Sequence, residues 1–275
     1  MVETPPDEVL YEVVDSVAVI SLNRPQKANA QTPELLDQLH ACWERAAHDR
    51  AVRVIVVRAN GKHFSAGHDL TAPTTVDWEQ RGLEAIYEFE AEKFLGYSRR
   101  WRDIPKPSIA AVQGKCIAAG LMLCWPCDLI VAAEDAEFSD PVVRMGIGGV
   151  EYHGHTWELG ARKAKELLFT ARSLSADEAH ELGMVNRVVP LDELDAQTMA
   201  LAHEIAQMHP FGLAQAKRAV NQTLDIQGFY NALQAVFDVH QTGHGNALAV
   251  AGTPILVGLD TMREANRAPD GRPPQ

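Results

Sequence analysis

An α/β fold is the expectation for this chain of 275 residues. Three observations predict it. Short β-branched runs alternate with stretches whose apolar residues recur at helical spacing, two of those runs end in turns of glycine and other small residues, and the last third is mostly helical. Such alternation implies right-handed crossovers and a largely parallel sheet, with ligands at the carboxyl ends of its strands.

Val9–Val14 and Val17–Leu22 flank Asp15-Ser16 and predict a hairpin, followed by a polar loop from Asn23 to Gln31. Thr32-Pro33-Glu34 is an N-cap with proline at the first helical position. Leu35, Leu36, Leu39, Cys42 and Trp43 then carry a helix to about His48. Val52–Ala59 is the next strand. Val76–Trp101 spreads Leu83, Ile86, Tyr87, Phe94 and Leu95 among charges, as an amphipathic helical stretch that would wall a cleft. Ile104-Pro105-Lys106-Pro107 breaks it, and Ser108–Val112 and Leu129–Ala132 read as buried strands. From Trp157 the character changes. Ser175-Ala176-Asp177-Glu178 is a capping box, Val185–Val189 a short strand, and 192–209, 211–224 and 229–240 are helical runs.

The two small-residue turns are the candidate functional features. Gly61-Lys62-His63-Phe64-Ser65-Ala66-Gly67-His68-Asp69-Leu70 follows one strand, and Gly114-Lys115-Cys116-Ile117-Ala118-Ala119-Gly120-Leu121 follows another. Glycine and alanine let a ligand approach the main chain, and one N–H from each turn, aimed at one oxygen, would stabilise negative charge developing on a carbonyl.

Composition narrows the function. With 46% hydrophobic residues the chain can bury one sizeable core or a core plus a small subdomain, while a net charge of −12 argues against binding nucleic acid through a general field. No basic start joins an apolar segment and no apolar run has bilayer length, so a cytoplasmic protein without membrane attachment is expected. Met1–Asp7 and Ala268–Gln275 read as a loose leader and tail. Cys124-Trp125-Pro126-Cys127 is a CxxC pair without a second pair to complete a zinc site; together with Cys42 and Cys116 these read as small apolar thiols.

Taken together, the turns and several flanking segments resemble the crotonase superfamily, the enoyl-CoA hydratase/isomerase family. The resemblance rests on Ser21-Leu22-Asn23-Arg24-Pro25, Gly61 to Leu70, Lys106 to Gly114, Cys127 to Ala133, Ala136-Glu137-Phe138 and Ala179 to Asn186, in family order. It implies a crotonase-like β/α spiral core over residues 8–200, a helical C-terminal trimerisation region over 201–267, and assembly as a homotrimer or a dimer of trimers. It also implies an acyl-CoA thioester ligand whose oxygen sits between the main-chain N–H groups of His68 and Ala119. Lys27, Ala28, Ala66, Asp69 and Leu70 would then contact coenzyme A, which is part of the substrate, and no separate cofactor is implied.

The sequence departs from the family at the acid–base positions. Typical hydratases carry two glutamates where this chain has Met122 and Val142, which would leave an apolar slot beside the thioester; Gly120 is a further expected substrate contact. Neither side chain moves a proton. The substitute is Glu151, in Gly146-Ile147-Gly148-Gly149-Val150-Glu151, with a solvated loop carboxylate as the ordinary alternative; Asp140 before Pro141 is a weaker candidate. His153 and His155 are two potential ligands and make no metal site. Ser65, His68 and Asp69 have the residue types of a hydrolase triad but lie too close in sequence to form one, and no nucleotide-phosphate motif is present. The sequence thus predicts an enzyme acting on enoyl-CoA or other acyl-CoA thioesters in fatty-acid or related lipid catabolism, with a catalytically silent acyl-CoA-binding protein as the alternative. A purely structural oligomer would bind no coenzyme A.

Overall fold

The computed structural model describes residues 7–72 and 76–258. The expected tail, nearly all of the leader and positions 259–267 of the C-terminal region lie outside them. Strands β1 (Val9–Val14), β2 (Val17–Leu22), β3 (Val54–Ala59), β4 (Ser108–Val112), β6 (Leu129–Ala133) and β9 (Arg187–Val189) form a six-stranded sheet in the order β1-β2-β3-β4-β6-β9. Only the hairpin β1/β2 is antiparallel. A second, three-stranded sheet joins β5 (Lys115–Ile117), β7 (Glu137–Ser139) and β8 (Leu174–Ser175).

Both faces of the large sheet are covered, which is why β2 and β4 read as continuous apolar runs. On one face Ile20, Ile55, Val57 and Ala110 pack with Leu35, Leu39 and Trp43 of helix α1 (Pro33–His48). On the other, Val19, Val54, Val56, Ile109 and Val131 pack with Leu194, Leu201, Ala202 and Ala206 of a later helix, residues Leu194–Ala206. Thr32 caps α1 as expected, its Oγ1 accepting from Leu35 N at 2.9 Å, and Ser175 Oγ accepts from Glu178 N at 3.1 Å.

The pairing of β3 with β4 positions the site. Val57 lies opposite Ala110 in parallel register, so the two strands deliver their following turns at the same end of the sheet, side by side. An isolated bridge between Ser65 and Cys116 continues that pairing into the turns themselves.

The expected helical stretch 76–101 is broken into pieces: α2 (Trp78–Arg81), α3 (Leu83–Glu90), a π-helical turn (Ala91–Gly96) and α4 (Tyr97–Asp103). Gly82, at φ +61° and ψ −139°, separates the first two, and π turns of this kind recur at functional sites. Helix α5 (Leu121–Cys124) follows the second turn. Helix α6 (His155–Thr170) has no counterpart among the expected elements and runs through the point where the character of the chain changes. Helices α7 (Ala176–Glu181), α8 (Leu194–Ala206), α9 (Pro210–Ile226) and α10 (Phe229–Ala251) complete the C-terminal part. The last extends well beyond the expected limit at His240. Gly243 is the reason: a Cβ there would fall 2.8 Å from Ile147 Cδ1 and 3.0 Å from Gly146 O, so glycine marks close packing on the 146–151 loop and not a helix end.

Among the described residues no helix is long and apolar enough to cross a membrane. All four cysteines are free. Cys124 and Cys127 Sγ each lie 3.5 Å from a main-chain carbonyl, and burial pushes both thiols well above their usual range.

Candidate active site

The two turns converge on a cavity of about 390 Å³ that both His68 and Ala119 line. Each donor follows a residue in the left-handed region, Gly67 at φ +85° and Ala118 at φ +49°. The alanine conformation costs roughly 1–2 kcal/mol. The turns touch. A Cβ on Gly67 would meet Ile117 O at 2.9 Å and Ala119 N at 3.3 Å, so this glycine serves both its φ and the close approach of the two backbones.

Gln31 fastens the turns together. Its Nε2 donates to Ala119 O at 2.9 Å and to Ser65 Oγ at 3.2 Å, while Ser65 Oγ donates to Asn29 O at 2.9 Å. The main chain of Gln31 donates to Gly67 O and accepts from Asp69 N, at 2.8 and 2.9 Å. That pattern skips His68. Its N–H, like that of Ala119 at the head of the 3-10 turn Ala118–Gly120, has no acceptor among the described residues.

The sequence-named coenzyme A residues separate into two groups. Asp69 and Leu70 line the cavity. Burial alone would raise the Asp69 carboxyl, but hydrogen bonds from Thr71 and Arg24 outweigh it and hold the group below its usual range; Arg24 Nη1 lies 2.8 Å away. Lys27, Ala28 and Ala66 stand outside the cavity lining. Ala66 N donates to Ala28 O at 2.9 Å, and Lys27 is exposed on the preceding turn.

The acid–base end differs from the apolar slot the sequence suggested. Val142 does line the cavity, but Met122 is buried in the core, where its carbonyl accepts from Ser98 Oγ at 3.2 Å. Gly120 packs on the first turn, since a Cβ there would meet Ser65 O at 2.8 Å. In their place four polar side chains converge: Glu90 from the end of α3, Glu151 from the glycine-rich loop, and His240 and His244 from α10. Around them the wall is apolar, with Ile86, Phe89, Phe94 and Ile147.

Glu151 is only 4% exposed and turns inward. Its Oε1 lies 3.4 Å from His68 Nε2 and 3.6 Å from His240 Nε2. The His68 ring is itself stacked on Phe94, centroids 3.8 Å apart, which the π turn brings into place. Glu90 is the fixed partner: its Oε2 accepts from Gln241 Nε2 at 2.6 Å and lies 3.3 Å from His240 Nε2, and its Oε1 lies 3.3 Å from His244 Nε2. Burial opposes ionisation there, yet the two histidines hold the Glu90 carboxyl well below its usual range. Burial would likewise lower His240, but Glu151 and Glu90 overcome it and push the ring up to about 9. Glu90 raises His244 against burial as well.

Asp140, the weaker candidate, does not line the cavity; it supports the loop that carries Glu151. It is fully buried, accepting from Val142 N at 3.3 Å and Val150 N at 2.9 Å, with His155 Nε2 at 3.0 Å. Burial acts to raise it, and His155 with the two amides pulls it down. The His153 ring is tilted against that of His155, centroids 4.3 Å apart, and burial lowers it to about 4. Ser65 Oγ is tied up with Gln31 and Asn29, away from the His68 ring nitrogens, so no hydrolase triad forms.

Gln31, Glu90, His240 and His244 escaped the sequence reading. The last two carried a signal, since histidines four apart share one helix face. Glu90 carried none.

A family model described as Enoyl-CoA hydratase/isomerase matches residues 12–247. The chain is similar to a probable enoyl-CoA hydratase of known structure from Mycobacterium smegmatis, at 67% identity over 91% of this chain and 99% of that one, with a TM-score of 0.87. A probable enoyl-CoA hydratase from Mycobacterium thermoresistibile gives 68% identity, coverage of 90% and 98%, and a TM-score of 0.86. An enoyl-CoA hydratase/isomerase from Xanthobacter autotrophicus Py2 gives 35% identity, coverage of 86% and 87%, and a TM-score of 0.80.

Proposed function

The chain belongs to the enoyl-CoA hydratase/isomerase (crotonase) family, and from that premise we propose that it moves a double bond in the acyl group of an enoyl-CoA thioester. The observation that carries this reading is Glu151, a buried carboxylate in the same cavity as two main-chain N–H groups without acceptors. A 3-enoyl thioester would lose a proton from Cα to Glu151. The electron pair spreads through the double bond to the thioester oxygen, between His68 N and Ala119 N, each donor worth about 2.7–4 kcal/mol in comparable oxyanion holes. Glu151 returns the proton to Cγ, and a conjugated 2-enoyl thioester results. Atoms and charge balance with one shuttle.

Migration is favoured over hydration because the second carboxylate is engaged. Glu90 is held by Gln241, His240 and His244 and is not free to deliver a proton to water or Cβ. The apolar wall suits a hydrocarbon acyl chain, which fits lipid catabolism. Helix α9 buries no residue and exposes Phe211, Val220 and Ile226, which supports assembly into trimers through the C-terminal region.

Purified protein is incubated with matched 3-enoyl and 2-enoyl thioesters, beside Glu151→Gln. Isomerisation should fall by about 10²–10⁴-fold in the variant while thioester affinity changes little. Hydration of the 2-enoyl series without isomerisation would overturn the reaction, and tight binding without turnover would make the protein a silent acyl-CoA binder.

A further inference from the structure

We propose that Glu90, His240 and His244 form a binding site for one divalent transition-metal cation of the zinc type, in the wall of the substrate cavity. The proposal is independent of the double-bond shift. One oxygen or nitrogen from each of these buried residues lies within 4.8 Å of the others. The edges of the cluster are 3.1 Å between the two Nε2 atoms, 3.3 Å from His240 Nε2 to Glu90 Oε2 and 3.3 Å from His244 Nε2 to Glu90 Oε1. Tetrahedral ligands at about 2.0–2.1 Å from a zinc ion stand about 3.3 Å apart. The two histidines meet different oxygens of Glu90, so a set with one carboxylate oxygen lies within 4.8 Å and closes to that size by side-chain rotation.

The ring orientations point the same way. His240 Nδ1 lies 2.7 Å from Gly149 O and His244 Nδ1 lies 2.6 Å from Pro254 O. A carbonyl only accepts, so both Nδ1 atoms carry the proton and both Nε2 atoms present to the cluster, the outer-shell arrangement that fixes metal-binding histidines. Gln241 does the same for the carboxylate, donating to Glu90 Oε2 at 2.6 Å. In the absence of an ion, two Nε2 atoms at 3.1 Å must share a proton or oppose their lone pairs. A dication resolves that conflict. It also balances the charge of two buried carboxylates, Glu90 and the neighbouring Glu151. Three protein ligands leave a fourth position for water or a ligand atom.

The test uses the intact protein, stripped with a chelator and dialysed. Zn²⁺ is titrated calorimetrically and Co²⁺ is followed by visible absorption. The expected result is about one ion per chain at micromolar affinity or better, with the intense bands of four-coordinate cobalt. His244→Ala and Glu90→Ala should each weaken binding at least about tenfold, whereas His153→Ala should not. Failure of the folded wild-type protein to take up either ion at about 100 μM would overturn the site. So would Zn²⁺ binding that is unchanged in His244→Ala, or cobalt spectra of octahedral type.

Discussion

One wall of the cavity presents main-chain N–H groups and the other presents side chains, and the two are built differently. His68 N and Ala119 N come from turns that leave adjacent strands, and Gln31 holds those turns in contact. Glu90, Glu151, His240 and His244 come from three separate elements, each fixed by its own hydrogen bonds. The first wall is insensitive to most side-chain changes at the donor positions themselves but vulnerable to changes in backbone spacing. The second responds to almost any change in the groups that position it.

Gly67→Ala attacks the first wall where it is narrowest. Its Cβ would press on Ile117 O at 2.9 Å, at a φ of +85° that alanine resists. Turnover should fall by about 10²–10³-fold, the cost of one lost donor. A thioester should bind more weakly and its thioether analogue, which lacks the carbonyl oxygen, should bind as before; equal weakening of both would break the contrast between the walls.

Asp140→Ala attacks the second wall from behind. It removes the cap on the 3-10 turn Pro141–Met145 and the acceptor for Val150 N, next to Glu151. We expect a loss of about 1–3 kcal/mol in denaturant unfolding, together with reduced turnover.

The smallest effect sharpens the comparison with a carboxylate outside the site. Glu158 on α6 is pushed up to about 7 by burial alone, with no charged group acting on it, unlike Glu90 with its two histidines. An acid whose folded pKa is raised binds more protons when native, so stability falls as pH rises from about 4.5 to about 7. Glu158→Gln should therefore stabilise the protein by about 1 kcal/mol at pH 8 and leave it unchanged at pH 4, read from melting temperatures at both. Partial exposure of the Glu158 side chain to solvent moderates the effect.

What was legible in the sequence follows the same division. The crotonase fold class, the hairpin, the cap at Thr32 and the two turns were readable because each is a local pattern. Of the polar wall only Glu151 was readable, from its glycine-rich loop; Glu90, His240 and His244 were not, because they share no motif with it and meet it only through the fold. Two local readings also misled. The 76–101 stretch reads as one amphipathic helical stretch, whereas Gly82 and the π turn divide it and bring Glu90 and Phe94 to the cavity. The last helical run reads as ending at 240, whereas packing of Gly243 on the 146–151 loop and of Gly245 on Leu83 accompanies a helix that continues to Ala251.

The neighbouring pairing of β3 and β4 has a mechanical meaning. Adjacent strands lie about 4.7–4.9 Å apart, a distance set by their amide ladder and shared by every residue pair along it. The sheet thus acts as a ruler for the distance at which the two turns leave it, and that dimension is as stiff as the core beneath it. On warming, the spacing of the two turns should persist until the whole domain melts, while the 146–151 loop and the end of α10 are free to loosen first.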